Sequence, residues 1–111
     1  MSKYIAIARE VVSSHKFVQL SASWCPDCVY SNSVWKKFGV TDKIFNYDIA
    51  AVTKDRAEWN EIRDAFQQVT GSRNLPTLYV DGKVWGTEAE LHKFEKNGTL
   101  KAELQKIGLV E

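Results

Sequence analysis

The stretch Phe17-Val-Gln-Leu-Ser-Ala-Ser-Trp-Cys-Pro-Asp-Cys-Val-Tyr30 decides how the rest of the chain is read. Phe17 to Ser21 reads as a short strand that delivers the chain to Trp24. From Pro26 the spacing turns helical, with Val29, Val34, Trp35 and Phe38 expected along one inward side. Gly39 stands where a C-terminal cap belongs. A strand that hands over directly to a helix is half of a β-α-β unit, the unit from which α/β sheets are built.

Working outward, residues 3–13 place Tyr4, Ile5, Ala8, Val11 and Val12 on one helical stripe. Downstream, Ile44 to Ile49 alternates as a second strand. The longest helical signal spans about 54–70, with Trp59, Ile62, Phe66 and Val69 at steps of three and four and Gly71 as its stop. Thr77–Val80 and Lys83–Trp85 flank Asp81-Gly82, a strong short-range hairpin signal. Thr87-Glu-Ala-Glu90 fits a capping box at the head of the next helix. Leu91 and Phe94 face inward there, and a last helix after Asn97-Gly98 carries Leu100, Leu104 and Ile107. The predicted fold is α/β: a four-stranded mixed sheet with helices on both faces, in one domain over 1–111.

Composition narrows the function. The 111 residues carry 15 Lys and Arg against 14 Asp and Glu, a net charge of +1. Nucleic acids and anionic membranes select for clustered basic charge, so neither is an expected partner. The N-terminal apolar run is too short for a signal-peptide core, and no stretch approaches a membrane span. The expected setting is the reducing cytoplasm, with the protein a monomer.

Both cysteines of the chain lie in Trp24-Cys-Pro-Asp-Cys28. A disulfide-stapled scaffold needs more cysteines, spread along the sequence. A zinc site needs four ligands, and only His15 and His92 remain to help; no metal is expected. A redox pair fits the position. Cys25 sits where a strand has ended and a helix begins, with Pro26 at the first helical position. A thiolate there meets free backbone N–H groups and the positive end of the helix dipole, worth roughly 0.3–1 kcal/mol. Cys28 lies one turn further in, close enough to close a disulfide and shielded by its neighbours. Cys25 is therefore expected to attack a disulfide and Cys28 to resolve the mixed disulfide. Asp27 works against the Cys25 thiolate through its charge, accepts the Cys28 proton, or is a solvated carboxylate with little effect. Trp24 is expected on the substrate rim, Trp35 and Trp59 in the core, and Trp85 in either place.

The Trp24-to-Cys28 motif before a helix, Arg73-Asn-Leu-Pro76 before a hairpin and Gly86-Thr87 after it resemble the dithiol glutaredoxins over nearly the whole chain. The resemblance implies a thioredoxin-like fold and a thiol–disulfide oxidoreductase with no bound cofactor and glutathione as cosubstrate. It implies a cis peptide at Leu75-Pro76, facing the cysteines, and a glutathione or substrate site at Arg73, Leu75, Pro76, Ala89 and Glu90. This sequence departs from the family at several places. Ala22 replaces a lysine three residues before the first cysteine, Asp27 replaces a tyrosine, and Thr87 replaces the second glycine of a pair. A missing cation and an added anion imply weak glutathione use. The motif also resembles small thioredoxin-related proteins that thioredoxin reductase reduces directly, which makes that enzyme an alternative partner. A redox-dependent peptide-binding module with little turnover is another alternative. Iron–sulfur cluster binding, known in some glutaredoxins, is disfavoured by Pro26 and by a weakened glutathione site.

Overall fold

The computed structural model describes residues 3–111. In chain order these form α1 (Lys3–Ser14), β1 (Phe17–Ser21), α2 (Pro26–Lys37), a 3-10 turn (Thr41–Lys43), β2 (Phe45–Asp48), α3 (Ile49–Val52), α4 (Arg56–Thr70), β3 (Thr77–Val80), β4 (Lys83–Thr87), α5 (Glu88–Asn97) and α6 (Leu100–Lys106). The sheet order is β2-β1-β3-β4. β1 runs parallel to β2 and antiparallel to β3, and β3 pairs antiparallel with β4. The sheet is the mixed four-stranded one the sequence predicts.

Its two faces bury different side chains, because neighbouring residues of a strand point oppositely. Val18 and Leu20 of β1 and Tyr79 of β3 pack with α1 and α4 through Tyr4, Ala8, Val12, Ile62 and Phe66. Phe17 and Leu78 face the other way, onto Val34 and Trp35 of α2 and onto Leu91, Leu100 and Leu104. β1 is buried along its whole length, which fits a central strand covered by helices on both faces. At Asp81-Gly82 both residues take positive φ, 53° and 79°, the requirement of a type I′ hairpin turn.

Four local expectations change. Val29 is 58% exposed, because the inward stripe of α2 runs through Cys28, Ser31, Val34 and Trp35, one position off. Ile49 does not close β2; it opens α3, where Asp48 caps the Ala50 N–H at 3.0 Å. α4 starts at Arg56, since the Asp55 carboxylate accepts from the Ala57 N–H at 2.9 Å. β4 runs on to Thr87, with a register shift opposite Leu78 and Tyr79.

Candidate active site

Cys25 is the N-cap of α2, with an extended backbone, and Pro26 opens the helix. A residue so placed looks onto the unpaired N–H groups of the first turn. The Cys28 N–H lies 3.3 Å from the Cys25 sulfur, and the Cys25 thiol lies 3.6 Å from the Leu75 carbonyl oxygen. Only 6% of Cys25 and 1% of Cys28 is exposed. Burial, and then the hydrogen bond and charge of Cys25, push the Cys28 thiol up to about 12 from an ordinary value of 9.0. The two sulfurs therefore have different electrostatic settings. A backbone N–H is aimed at the Cys25 sulfur, while burial keeps the proton on Cys28.

The segment 72–76 faces this pair, and its Leu75-Pro76 bond is cis. Side-chain hydrogen bonds hold the segment in place. Tyr79 donates to the Ser72 carbonyl at 3.0 Å, and the hydroxyls of Ser72 and Thr77 meet at 3.0 Å. Thr77 donates to the Asn74 carbonyl at 2.8 Å, and the Asn74 N–H reaches the Ser72 hydroxyl at 3.3 Å. Pro76 is buried and Leu75 half-buried.

On the α4 side of Cys25 lies a groove of about 570 Å³ lined by Trp24, Arg56, Trp59, Asn60 and Arg63. Trp24 is 50% exposed, and its ring lies 5.3 Å from that of Trp59. Trp59 is fixed by donation from Nε1 to the Thr53 carbonyl at 2.7 Å. It thus forms groove wall as well as packing on the core, where the sequence reading gave it the core alone. Residues 56, 59, 60 and 63 share one helical face, a spacing the sequence did show. Their two arginines went unremarked in the sequence, because nothing in α4 itself says that Cys25 lies opposite. The Arg63 guanidinium is held below its usual range by burial and by Arg73, against the opposing pull of Cys25.

The glutaredoxin family model matches residues 11–85. The chain belongs to the glutaredoxin family. It is 56% identical to Glutaredoxin-8 of Saccharomyces cerevisiae over 111 residues, covering 99% of either chain. The solution structure of yeast dithiol glutaredoxin Grx8 superposes with a TM-score of 0.88 over 100% of both chains. Oxidised glutaredoxin 2 of Chlamydomonas reinhardtii, 27% identical, gives 0.72 over 97% of this chain and 96% of that one. The fold is the thioredoxin-like glutaredoxin fold, and the family's members are thiol–disulfide oxidoreductases.

Ala22, Asp27 and Arg73, which the resemblance links to glutathione, lie in the segments around the cysteine pair. Ala22 is buried, with 1% exposure, and its carbonyl accepts from the Cys25 N–H at 3.0 Å. Asp27 is exposed in the first turn of α2 and adds to the forces that keep Cys28 neutral. Arg73 turns its side chain to Asp64, at 3.2 Å, while its carbonyl accepts from Arg63 Nε at 3.0 Å.

The head of α5 lies beside Pro76, which shares a small cleft with Gly86 and Thr87. The expected capping box is present: the Thr87 hydroxyl accepts from the first-turn amides and the Glu90 carboxylate accepts from the Thr87 N–H at 2.7 Å. The Ala89 and Glu90 N–H groups are therefore engaged by the Thr87 hydroxyl. Gly86 is required by packing, since a Cβ there would meet Glu90 Cγ at 2.8 Å. Glu88, which the sequence reading passed over, has one carboxylate oxygen buried without a hydrogen-bond partner.

Proposed function

We propose that the protein is a cytoplasmic, monomeric, glutathione-linked thiol–disulfide oxidoreductase of low glutathione affinity. The observation that carries the reading is the placement of Cys25 between the Cys28 N–H and the Leu75 carbonyl. The Cys25 thiolate attacks one sulfur of a substrate disulfide. That S–S bond breaks, its far sulfur leaves as a thiolate, and Cys25 enters a mixed disulfide. Cys28 then gives up its proton and attacks the Cys25 sulfur, releasing the second substrate thiolate and leaving a Cys25–Cys28 disulfide. Two glutathione thiols restore the dithiol and are themselves oxidised to glutathione disulfide. Leu75 and Pro76 offer backbone groups for a short strand-like pairing with the substrate.

Low glutathione affinity is supported by the buried Ala22, the Asp27 carboxylate, and the engaged amides of Ala89 and Glu90. The same features favour a second reading, in which thioredoxin reductase supplies the electrons. A coupled assay separates the two. NADPH, glutathione and glutathione reductase sustain disulfide reduction with a raised glutathione KM if the first reading holds. Turnover with thioredoxin reductase alone, and none with glutathione, overturns it in favour of the second. Loss of turnover with both donors overturns both and leaves a peptide-binding module.

A further inference from the structure

The amide of Gln19 is buried between β1 and α2, with 1% of the residue exposed, and the reaction described above does not use it. Burial of such a group is costly unless its donors and acceptors are all engaged. In Gln19 they are. Its oxygen accepts from Trp35 Nε1 at 2.9 Å and from the Ser31 hydroxyl at 2.7 Å. Its nitrogen donates to Asn32 Oδ1 at 2.8 Å and to Asn46 Oδ1 at 3.0 Å. An indole N–H can only donate, which fixes the orientation of the amide. One side chain of β1 thereby joins Asn46 of β2 to Ser31, Asn32 and Trp35 of α2.

Val18 and Leu20 fill the opposite face of β1 with apolar side chains, so a polar residue here calls for a reason. Apolar packing tolerates small shifts, whereas a fully satisfied hydrogen-bond network holds one arrangement. What this network holds is the start of α2. Ser31 is fully buried, and its hydroxyl also meets the Cys28 carbonyl at 2.9 Å. A single oxygen therefore links Gln19 to the resolving cysteine. Cys25 is anchored separately, from the strand side. Its N–H donates to the Ala22 carbonyl at 3.0 Å, and the Ser23 N–H donates to Asp48 Oδ1 at 3.0 Å. The placement of one sulfur against the other depends on both anchors.

We propose that Gln19 is a positioning residue: through Ser31 it holds the Cys28 turn of α2 against the sheet, within reach of the Cys25 sulfur. The inference rests on the reading that Cys25 attacks and Cys28 resolves. In the resolving step the Cys28 sulfur, having lost its proton, attacks the Cys25 sulfur of the mixed disulfide. The Cys25–Cys28 bond forms, the bond to the substrate sulfur breaks, and the leaving thiolate takes up a proton. A step within one molecule owes its rate and its equilibrium to fixed geometry, and a misplacement of ~1 Å costs up to ~100-fold. Attack by Cys25 on an external disulfide needs no such reach from Cys28, so the network acts on ring closure alone.

Equilibration of the protein with glutathione and glutathione disulfide tests this. The readout is the equilibrium constant for forming the Cys25–Cys28 disulfide, followed by alkylation and mass spectrometry. Ser31→Ala cuts the link and leaves Gln19 bonded to Trp35, Asn32 and Asn46. It is expected to lower the constant about tenfold, which equals a rise of about 30 mV in reduction potential. Gln19→Leu removes the anchor itself and should lower the constant at least as far; Ser31→Ala decides the matter if that variant fails to fold. A role confined to the fold stabilises reduced and oxidised protein alike, so it moves Tm and leaves this constant in place. Val12→Ala, a core truncation on the opposite face of the sheet, is the control, with a lower Tm and an unchanged constant expected. A wild-type constant in Ser31→Ala overturns the proposal, and so does a constant lowered as far in Val12→Ala. Attack on glutathione disulfide, read in a Cys28→Ser background, should be the same with and without Ser31→Ala. A fall there by the same factor also overturns the proposal, since the network then acts on Cys25. Cys28→Ser that forms no mixed disulfide at Cys25 overturns instead the reading on which the inference rests.

Discussion

The backbone N–H of Cys28 lies 3.3 Å from the sulfur of Cys25, so one cysteine's main chain supports charge on the other's side chain. The Cys28 side chain gains nothing comparable, and burial pushes its thiol up to about 12. The asymmetry arises from the helix start: the residue at the N-cap faces free amides, and the residue three positions on points inward. Iodoacetamide at pH 7–8 is therefore expected to label Cys25 and spare Cys28, read out by peptide mass spectrometry. Equal labelling of both would contradict the geometry. Cys28→Ser should still form a mixed disulfide with glutathione while losing most of its reduction of protein disulfides.

Asp27 is a carboxylate in solvent within the motif itself. At a separation of roughly 6 Å in water, two unit charges repel by about 0.7 kcal/mol, a factor of about three. Asp27→Asn should lower the glutathione KM by about that factor at low ionic strength, and by less at high salt. Steady-state kinetics at two salt concentrations checks it; a KM equal to that of the wild type means the carboxylate is too well solvated to matter.

The loop that faces the cysteines depends on Tyr79, whose hydroxyl donates to the Ser72 carbonyl at 3.0 Å. Tyr79→Phe leaves that carbonyl without its donor and should cost about 1–2 kcal/mol of stability. Urea unfolding measures the loss. Because Ser72 also anchors Asn74 and Thr77, the rate of mixed-disulfide formation should fall together with stability.

How much of this could be read in the sequence follows from how local each signal is. The hairpin, the capping box and the Cys25 helix start are set by residues within four positions of one another, and all three are present. On α2 Val34 and Trp35 face inward as expected, and Val29 alone was misplaced, because the first turn buries Cys28 and then Ser31, neither a large hydrophobe. Ser31 is buried because its hydroxyl bonds Gln19 at 2.7 Å, a pairing made only after β1 and α2 come together. Arg56 and Arg63 were invisible as site residues for the same reason, since α4 meets Cys25 only in the folded chain. Thr87 was legible as a cap, but the cost of that cap to an incoming anion needed the hydrogen bonds themselves.

Alkaline pH should unfold the reduced protein earlier than its neutral-pH stability suggests. Burial is the first cause in each of three groups that hold their protons up to about 12: Cys28, Tyr79 and Tyr30, the last also donating to Glu95. Their ordinary values are 9.0 for the thiol and 10.0 for the phenols. Between those values and 12 the unfolded chain binds fewer protons than the folded one, so stability falls as pH rises. The contribution is complete below pH 9 and fades toward pH 12. Urea midpoints at pH 8, 9.5 and 11 should descend in order, and Cys28→Ser should flatten the first step.

Thr87 sets stability against glutathione binding. Its hydroxyl occupies the Ala89 and Glu90 N–H groups, and the Glu90 carboxylate closes the box onto the Thr87 N–H at 2.7 Å. A helix N-terminus otherwise offers such amides to an anion. Thr87→Gly removes the hydroxyl, with its own 3.2 Å bond to the Glu90 carboxylate, and leaves the backbone N–H bond to Glu90 in place. Glycine is itself a tolerated N-cap, so the cost should stay below about 1 kcal/mol. The two released donors can instead meet a glutathione carboxylate. A charge-assisted hydrogen bond is worth about 1.5–3 kcal/mol when buried and less here, so the glutathione KM should drop by about fivefold. Thermal unfolding and coupled turnover on the same variant read both sides. A small loss of Tm with a lower KM supports the trade, whereas a small loss of Tm with an unchanged KM shows that glutathione does not bind at the head of α5.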